Sequence, residues 1–374
     1  MIIKELRLIN HRNYDDEFIE FHDNTNILVG KNAQGKTNLL EAIYIAARGY
    51  SFKSIKETEL INFDKNEMYL KAVILSKNKR KNVEIKLSRN YNKQIKINDV
   101  DVNVSEMKSQ FGVVLFAPEE ILIIKETPSL RRKFIDDIIS NNDIAYKIYL
   151  NNYNNIRRQK NLLLKNPAKN KYFEQMLTSY NAKLVEYGAK IGIYRYKYLN
   201  ILKKYAKEFH SELTSSKEDL DIIYEYNFAE KLDDLTNIEK QYHDILLDKK
   251  QSEIERYQSL YGPHKDEIIF LINGKDVKNY ASQGQQRTVM LSLKLAEAKL
   301  IEVLTSTKPI LLWDDVFSEL DNTRASLLVQ KSKKYQNIIT TNSLVNLDLD
   351  NSGSKVFTID KGRVITGREK DGTK

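Results

Sequence analysis

The chain has 374 residues, enough for two or three packed units with a sizeable core. It has no cysteine, which excludes disulfide bonds, zinc–thiolate and iron–sulfur sites and a cysteine nucleophile. The five histidines have no metal-binding spacing, and no stretch approaches the ~18 apolar residues of a membrane-spanning helix. The chain has no signal-like start, so we expect a soluble, cytoplasmic protein without a membrane partner.

The chain is basic, with 60 Lys and Arg against 51 Asp and Glu and a net charge of +9. The positive charge is concentrated at residues 147–207, which hold 14 bases and two acids, whereas residues 208–255 hold 14 acids and five bases. A basic stretch of this kind favours a polyanionic partner. An AT-rich coding sequence would give a similar Lys-rich composition, so net charge alone does not identify the partner.

Both ends of the chain have an α/β pattern. In the N-terminal part we predict strands at residues 2–8, 17–21, 26–29, 68–75, 83–87 and 94–97, and a helix at 36–47. In the C-terminal part we predict strands at 267–272, 276–280, 309–313 and 337–341, and helices at 285–304 and 322–333. The first part is therefore expected to be a mixed α/β lobe with an antiparallel β annex.

The middle of the chain is predicted to be helical. Apolar residues recur every three or four positions from 177 to 205, and an upstream run from 146 to 163 has the same pattern, broken only at Lys160. Asn166 and Pro167 separate the two runs. We predict an antiparallel helical hairpin that projects from the body with tyrosines packed along its seam, followed by a strand at 220–226 and an acidic helix at 229–248.

A phosphate-binding motif follows the third predicted strand and opens the first helix. The motif G-x-x-x-x-G-K-[ST] is matched by Gly30, Lys31, Asn32, Ala33, Gln34, Gly35, Lys36 and Thr37. Its glycines allow backbone N–H groups to point at a phosphate at the positive end of a helix dipole. We expect Lys36 to contact the β- and γ-phosphates of ATP and Thr37 to bind Mg²⁺.

An apolar strand near the C-terminus ends in two carboxylates, Asp314 and Asp315. A P-loop ATPase needs a carboxylate beside its Mg²⁺ ion, and by order along the chain this is Asp314. Asp315 is then placed to orient or deprotonate the attacking water. Most ABC ATPases have glutamate there, so the shorter side chain predicts slow hydrolysis.

A second glycine-containing helix start lies about thirty residues before the acidic pair. Ser282 is a helix N-cap candidate, Gly284 allows close backbone approach, and the N–H of Gln285 lies at the positive helix end. One chain does not need two such sites for one phosphate group. ABC ATPases resolve this with a head-to-tail dimer, in which the signature helix of one subunit closes on the ATP of the other.

Several segments resemble the RecF family of ABC ATPases, which is related to SMC proteins. They are residues 6–14 (LRLINHRNY), 35–44 (GKTNLLEAIY), 51–53 (SFK), 116–120 (FAPEE), 131–136 (RRKFID), 262–266 (GPHKD), 282–287 (SQGQQR) and 314–321 (DDVFSELD). About 245 residues separate Thr37 from Ser282, too few for the coiled-coil arm of an SMC protein. A transporter motor subunit and an SMC-like structural ATPase remain the alternatives.

The resemblance implies an ABC-ATPase head of α/β fold, with a mixed sheet, a P-loop helix and an antiparallel β annex, interrupted by a helical arm domain. We assign residues 1–125 and 257–374 to the head and 126–256 to the arm. Arg12, Asn38, Asp321 in the D-loop and Thr341 are further nucleotide contacts by resemblance; the family's usual switch histidine is absent. The resemblance also implies a weak DNA-dependent ATPase that dimerises with ATP, binds duplex DNA or single-strand/double-strand junctions, and assists RecA loading with RecO and RecR.

The basic face of the arm is the predicted DNA contact, because exposed bases neutralise phosphates without reading sequence. An alternative is a solvated helix surface without a partner. The candidate residues are Arg157, Arg158, Lys160, Lys165, Lys169, Lys171, Lys190, Arg195 and Lys197.

Overall fold

A computed structural model describes residues 1–53, 55–77, 79–167, 171–230, 234–343 and 353–366. Within these ranges the strands are β1 Ile2–His11, β2 Tyr14–Glu20, β3 Thr25–Val29, β4 Glu67–Ser76, β5 Lys79–Ser88, β6 Gln94–Ile97, β7 Val100–Asp101, β8 Val113–Phe116, β9 Leu220–Glu225, β10 Glu267–Ile272, β11 Lys275–Asp276, β12 Ile310–Asp314, β13 Gln336–Thr341, β14 Ser354–Asp360 and β15 Arg363–Thr366.

The helices in the same ranges are α1 Lys36–Arg48, α2 Val104–Lys108, α3 Leu122–Lys125, α4 Pro128–Asn142, α5 Ile144–Leu164, α6 Phe173–Leu213, α7 Leu235–Asp248, α8 Lys250–Glu255, α9 Val277–Tyr280, α10 Gln283–Thr305 and α11 Asn322–Ser332. None of these helices combines the length and the apolar character that crossing a bilayer requires.

The chain divides into two compact units. The first comprises Met1–Glu120 and Glu297–Lys374, and the second comprises Ile121–Ala296. The second boundary therefore lies after Ala296 and not near residue 257 as predicted. The reason is that β9 pairs with β10 along its whole length, from Leu220↔Ile272 to Glu225↔Glu267, which ties residues beyond 257 to the helical unit.

The first unit contains a six-stranded sheet of order β15-β14-β3-β13-β12-β8. The five strands from β14 to β8 are parallel, and β15 is antiparallel to β14. Strands β12 and β13 are buried throughout, as the continuous apolar run of β12 predicts. This sheet places the ends of β3, β13 and β12 next to one another.

The second sheet of this unit is antiparallel, in the order β2-β1-β4-β5-β6-β7, and corresponds to the predicted annex. Helix α1 contacts strands of both sheets, so its apolar residues are buried on two sides. Leu39, Leu40 and Ile43 of α1 belong to one core cluster with Leu6 of β1 and Leu312 of β12. The first turn of α1 is therefore held by packing as well as by its own hydrogen bonds.

The second unit holds the predicted helical hairpin, but the hairpin does not project freely. Its 41-residue helix α6 contacts α4, α5, α7 and β9. Tyrosines pack between α5 and α6 as predicted, with ring centroids 6.3 Å apart for Tyr149 and Tyr187 and 5.6 Å for Tyr146 and Tyr194. Helix α6 also buries Ala189, which lies outside the predicted seam. A single narrow seam thus underestimates the buried surface of this helix.

Two predicted elements differ from the structure. The strand expected at 276–280 is confined to Lys275–Asp276, because the Asp276 carboxylate accepts a hydrogen bond from Lys278 N and caps helix α9. The acidic helix expected from residue 229 is helical over Leu235–Asp248, where Asp234 is the N-cap, and residues 231–233 lie outside the described ranges.

Acidic and basic segments that are separate in sequence pair with each other in the second unit. Lys203 lies 2.7 Å from Asp221, and Lys207 lies 3.3 Å from Asp219. These pairs lower the net charge that the basic segment presents to solvent. The bases of α5 that lack such partners therefore matter most for an anionic ligand.

Candidate functional site

Three parallel strands of the first unit end at one edge of the sheet and supply the candidate site. The P-loop follows β3, Asp314 ends β12, and Thr341 ends β13, with Val29 paired to Thr341 and Asp314 paired to Thr340. Ligands of parallel α/β sheets bind at the carboxyl ends of the strands. The motif and the acidic pair, far apart in sequence, thus meet as predicted.

The P-loop backbone has the curled form that a phosphate site needs. Gly35 has φ 116° and Ala33 has φ 62°, and α1 begins at Lys36. The first N–H groups of α1 have no partner within the helix, so they are available to an anion. The side chains of Lys31, Asn32 and Ala33 are exposed along the loop.

Lys36 is held by three acceptors. Its Nζ donates hydrogen bonds to the carbonyl oxygens of Gly30 and Lys31, at 2.5 and 2.9 Å, and to Asn342 Oδ1 at 2.7 Å. Burial lowers the pKa of Lys36, while the nearby carboxylates of Asp315 and Asp314 oppose the change. The ammonium group lacks a full counter-charge, which suits a phosphate ligand.

Asn342, which was not among the predicted site residues, directly follows the predicted nucleotide contact Thr341 and accepts the hydrogen bond from Lys36. The Thr341 hydroxyl donates to the carbonyl of Ser343 at 2.8 Å and is therefore engaged in a local turn. The only signal for Asn342 in the sequence was its position directly after the strand-end threonines. The contact with Lys36 thus comes from Asn342, while a nucleotide contact of Thr341 stays a prediction.

The two predicted metal ligands lie side by side. The Thr37 hydroxyl donates to Asp314 Oδ1 at 2.9 Å, and the Thr340 hydroxyl donates to the same oxygen at 2.9 Å. Burial raises the pKa of Asp314, and the hydrogen bonds from Thr37 and Thr340 oppose this rise. A hydroxyl beside a buried carboxylate is the donor set expected for Mg²⁺ at a P-loop. Thr340, which orients that carboxylate, was missed from sequence.

Asp315 has an unusual backbone and a carboxylate oxygen in need of a partner. Its φ is 51°, in the left-handed region that Asp tolerates better than most residues, and its backbone N donates to Thr340 Oγ1 at 2.9 Å. Within the described residues, no group donates a hydrogen bond to the buried Asp315 Oδ1. Such an oxygen fits a water molecule or a donor brought by a ligand.

A turn from the C-terminal part of the first unit holds the P-loop in place. The N–H groups of Lys361 and Gly362 donate to Gln34 Oε1 at 2.8 Å and to Gln34 O at 3.0 Å. Asn13 Nδ2 also donates to Gln34 O, at 3.0 Å. A Cβ atom on Gly362 would lie 1.9 Å from the Asn13 carbonyl oxygen. Gln34 therefore anchors the loop, a role that the motif alone does not reveal.

Arg12 and Asn38 are oriented by neighbours in the first unit. Arg12 donates two hydrogen bonds of 3.1 Å to the buried carboxylate of Glu41, and Asn38 Nδ2 donates to Asn13 Oδ1 at 2.9 Å. Burial alone would raise the pKa of Glu41, but hydrogen bonds from Arg12 and Ser51 hold it below its usual value. Glu41 thus remains ionised and fixes the direction of Arg12.

The glycine-containing helix start of the second unit is open to solvent. Ser282 and Gln285 form a reciprocal cap, with Ser282 N donating to Gln285 Oε1 at 2.9 Å and Gln285 N donating to Ser282 Oγ at 3.3 Å. A Cβ atom on Gly284 would meet nothing within 4 Å. The start of α10 can therefore accept a close approach by a ligand.

Asp321 caps helix α11 in the first unit. Its carboxylate accepts a hydrogen bond from Arg324 N at 2.9 Å and lies 3.5 Å from the Arg324 guanidinium. The side chain is exposed, so a further contact from a ligand or a second subunit is sterically open.

The structure divides the predicted DNA contacts into three groups. Arg158, Lys165, Lys171 and Lys197 are exposed and Arg157 is half-buried, and none of these has an acidic partner among the described residues. Lys190 lies 3.2 Å from Glu186 and over the ring of Tyr149, so its positive charge is partly neutralised within the protein. Lys169 lies outside the described residues.

Lys160 and Arg195 form the third group, because both are buried in ion pairs. Lys160 Nζ is 2.5 Å from Glu253 Oε2, and the Lys160 side chain is fully buried. Arg195 donates to both oxygens of Asp136, at 2.8 and 2.9 Å, and lies 3.2 Å from Asp266. Contrary to the prediction, these two side chains do not belong to an exposed phosphate-binding surface.

Comparisons with known proteins place the chain in a family. The model of the "RecF/RecN/SMC N terminal domain" matches residues 2–364. A protein of Alkaliphilus oremlandii, "DNA replication and repair protein RecF", is 39% identical over 369 residues, covering 97% of this chain and 100% of its own. Its counterpart in Clostridium perfringens SM101 is 37% identical, covering 97% of this chain and 99% of its own.

Solved structures confirm the predicted fold class. The structure of "the recombination mediator protein RecF-ATP in RecFOR pathway" matches with a TM-score of 0.89 at 36% identity, covering 98% of both chains. The Smc head domain of Pyrococcus furiosus matches with a TM-score of 0.56 at 17% identity, covering 98% of this chain and 96% of its own, and shows the shared fold alone. The ABC-ATPase head with an inserted helical unit is therefore this chain's architecture, and the chain belongs to the RecF family of DNA replication and repair proteins.

Proposed function

We propose that this protein is a recombination mediator: an ATP-dependent DNA-binding ATPase that dimerises on ATP and acts in DNA repair and replication restart. One observation carries the nucleotide part of the proposal. The P-loop, the Thr37 and Asp314 pair and the unsatisfied Asp315 carboxylate oxygen share one sheet edge in the first unit. A relative whose solved structure is described as RecF-ATP supports the same ligand.

Each side chain at this edge has a distinct task in the proposed reaction. Lys36 would exchange its carbonyl and Asn342 contacts for the β- and γ-phosphates, because an anion compensates its charge better than neutral oxygens do. Thr37 and Asp314 would hold Mg²⁺, which neutralises phosphate charge when bound. Asp315 would accept a hydrogen bond from the attacking water and orient it. Weak hydrolysis is proposed because the aspartate side chain is short.

The dimer part of the proposal rests on the open start of α10. This helix end is capped and exposed, and a Cβ atom at Gly284 would meet nothing within 4 Å. Its residues are not part of the sequence motif that forms the P-loop. A second subunit would supply its Ser282 loop to the γ-phosphate bound at Lys36. Binding of ATP then favours the dimer, and hydrolysis releases it. Asp321 is available for the same interface.

DNA is the proposed polyanionic partner of the second unit. The exposed bases Arg158, Lys165, Lys171 and Lys197, with the half-buried Arg157, have no acidic partners among the described residues, so counterion release on DNA binding would be favourable. Phosphate contacts of this kind suit duplex DNA and single-strand/double-strand junctions. The relatives' place in the RecFOR pathway supports RecO and RecR as partners. Assisted loading of RecA is proposed as the outcome from the family resemblance.

Light scattering with and without ATP and a DNA duplex tests the proposal. Wild-type protein should become dimeric only with ATP, whereas Lys36→Met, which removes the phosphate-binding charge, and Ser282→Arg, which blocks the loop, should stay monomeric. A matched change at an exposed base, Lys204→Met, should leave the ATP-dependent dimer intact. Dimers in either site variant, or none in the wild type, would contradict the composite site.

The turn that anchors Gln34 makes a second prediction. Gly362→Ala should weaken ATP binding by about tenfold or more, because its Cβ atom would collide with the Asn13 carbonyl and displace the P-loop. Gly274→Ala is the matched control, since Gly274 has a similar φ of 77° but open space around its Cβ position. Calorimetric titration with ATP checks this, and equal affinities in the two variants would refute it.

A further inference from the structure

A cavity of about 270 Å³ lies in the second unit among α4, α5, α6 and the segment at Pro263. Its lining includes four cations, Arg132, Lys133, Arg157 and Arg195, and two carboxylates, Asp136 and Asp137. Ser129 and Asn154 add a hydroxyl and a carboxamide. The cavity therefore combines positive charge with neutral hydrogen-bonding groups.

Much of this positive charge is not compensated by protein acids. Arg157 and Lys133 have no ion pair among the residues that the structure describes, and Arg132 donates to the carbonyl oxygen of Asp266 at 2.6 Å. Burial, followed by the positive charge of Arg195, lowers the pKa of Arg132, while the carboxylates of Asp266, Glu267 and Asp136 oppose the change. An anion in the cavity would add negative charge beside the half-buried Arg132 and beside Arg157 and Lys133.

At the floor of the cavity, the carboxylate of Asp136 is already engaged. Arg195 is 2% exposed and holds Asp136 through two hydrogen bonds, while Tyr146 donates to the same carboxylate at 2.5 Å. Asp136 is thus engaged by Arg195 and Tyr146, and Arg132 is oriented by its hydrogen bond to the Asp266 carbonyl. Two of the lining guanidinium groups are therefore positioned before any ligand arrives, which lowers the entropic cost of binding.

His264 adds a neutral wall to the cavity. Its Nε2 donates to the carbonyl of Ser259 at 3.1 Å, so its Nδ1 accepts the hydrogen bond from the Tyr153 hydroxyl at 2.6 Å. Burial, followed by the charge of Arg157, lowers the pKa of His264 to about 3. The imidazole is therefore uncharged at neutral pH, and the anion would bind to the Arg and Lys side chains.

The cavity continues into an open groove along α5. Asn154 and Arg157 line both, and the groove, with a volume of about 760 Å³, adds Asn151, Asn155, Arg158 and Lys165. Among the residues that the structure describes, the groove lining has no acidic side chain. Carboxamides and cations line the cavity and the groove without interruption. Such a lining suits a phosphate group in the cavity whose ester-linked chain extends into the groove.

We propose that this cavity is a phosphate-binding site, in which Lys133, Arg132 and Arg157 bind a phosphate group supplied either by a nucleic-acid strand lying along α5 or by free phosphate. The site is separate from the P-loop, which lies in the other unit. This proposal rests on the proposed DNA binding only where a nucleic-acid strand supplies the phosphate. The result of a test with free phosphate therefore does not depend on whether ATP causes the protein to dimerise.

Calorimetric titration with inorganic phosphate in a Lys36→Met background, which weakens phosphate binding at the P-loop, tests the site. Lys133→Ala/Arg157→Ala should weaken phosphate binding by about tenfold or more, because two charge-assisted hydrogen bonds are lost. Lys204→Ala/Lys217→Ala makes the same change in net charge at two exposed bases of the same unit that line neither the cavity nor the groove, and it should leave phosphate affinity unchanged. Equal affinity in the two double variants, or acetate binding as tightly as phosphate, would overturn the proposal.

Fluorescence anisotropy with a labelled single-stranded oligonucleotide distinguishes the two sources. If a strand supplies the phosphate, the cavity variant should lose more oligonucleotide affinity than the matched variant, and inorganic phosphate should compete. If only free phosphate binds, the two variants should bind the oligonucleotide equally while their phosphate affinities still differ.

Discussion

Replacing Asp315 by Asn is expected to lower ATP turnover by about a hundredfold or more while ATP binding is retained. The Asp315 Oδ1 atom is buried without a donor among the described residues, so it is free to accept a hydrogen bond from the attacking water. An amide in the same position has one oxygen and no negative charge, and it cannot take up a proton. Single-turnover phosphate release measures the effect directly.

Backbone strain must be separated from loss of the carboxylate in this test. Asp315 has a φ of 51°, and both Asn and Gly accept such a conformation, so Asp315→Asn and Asp315→Gly should fold equally well. Both should lose turnover together. Asp101→Asn, at an exposed carboxylate of β7, is the matched control and should hydrolyse ATP at the wild-type rate. Normal turnover in Asp315→Asn would remove Asp315 from the proposed reaction.

Contiguous motifs predicted the local geometry of the P-loop. Gly35, Lys36 and Thr37 can be recognised from the local sequence, because a strand, a glycine turn and a helix start are specified by adjacent residues. Asp314 was selected because an apolar strand that ends in carboxylates can supply the acid that Mg²⁺ needs beside a P-loop. These predictions needed only the order of elements along the chain.

Residues that reach the P-loop from distant segments could not be predicted in the same way. Gly362 contacts Gln34 and Asn342 contacts Lys36, yet more than 300 residues separate each pair. Nothing in the local pattern around Gly362 distinguishes it from an ordinary hairpin glycine. Only the register of β14 beside β3 brings that turn to the loop.

In the helical unit, the apolar repeat correctly predicts the helices, but a basic residue that interrupts it was assigned to the wrong face. Lys160 was the one position that broke the apolar repeat of its helix, and it was assigned to the exposed basic face. A position that fits the buried face by spacing but carries a charge instead predicts a buried ion pair. The structure has that pair with Glu253, which lies in the acidic segment of the same unit. Arg195 is a second base that was assigned to the exposed face, and it is buried in ion pairs with Asp136 and Asp266.

Lys160→Met is accordingly expected to lower the free energy of unfolding by about 3 to 5 kcal/mol, the cost of leaving one member of a buried pair unpaired. Glu253 is 2% exposed and also accepts a hydrogen bond from Leu260 N at 2.8 Å, so its carboxylate cannot turn to solvent without disturbing that contact. Urea unfolding followed by circular dichroism measures the change.

Two companion variants separate the lost ion pair from other effects. Lys165→Met changes an exposed base at the C-cap of the same helix and should stay within about 0.5 kcal/mol of the wild type. Lys160→Met/Glu253→Gln removes both charges and should recover much of the stability, because no buried charge is left without a partner. If Lys160→Met were as stable as Lys165→Met but bound DNA more weakly than the wild-type protein, Lys160 would have to be an exposed phosphate contact.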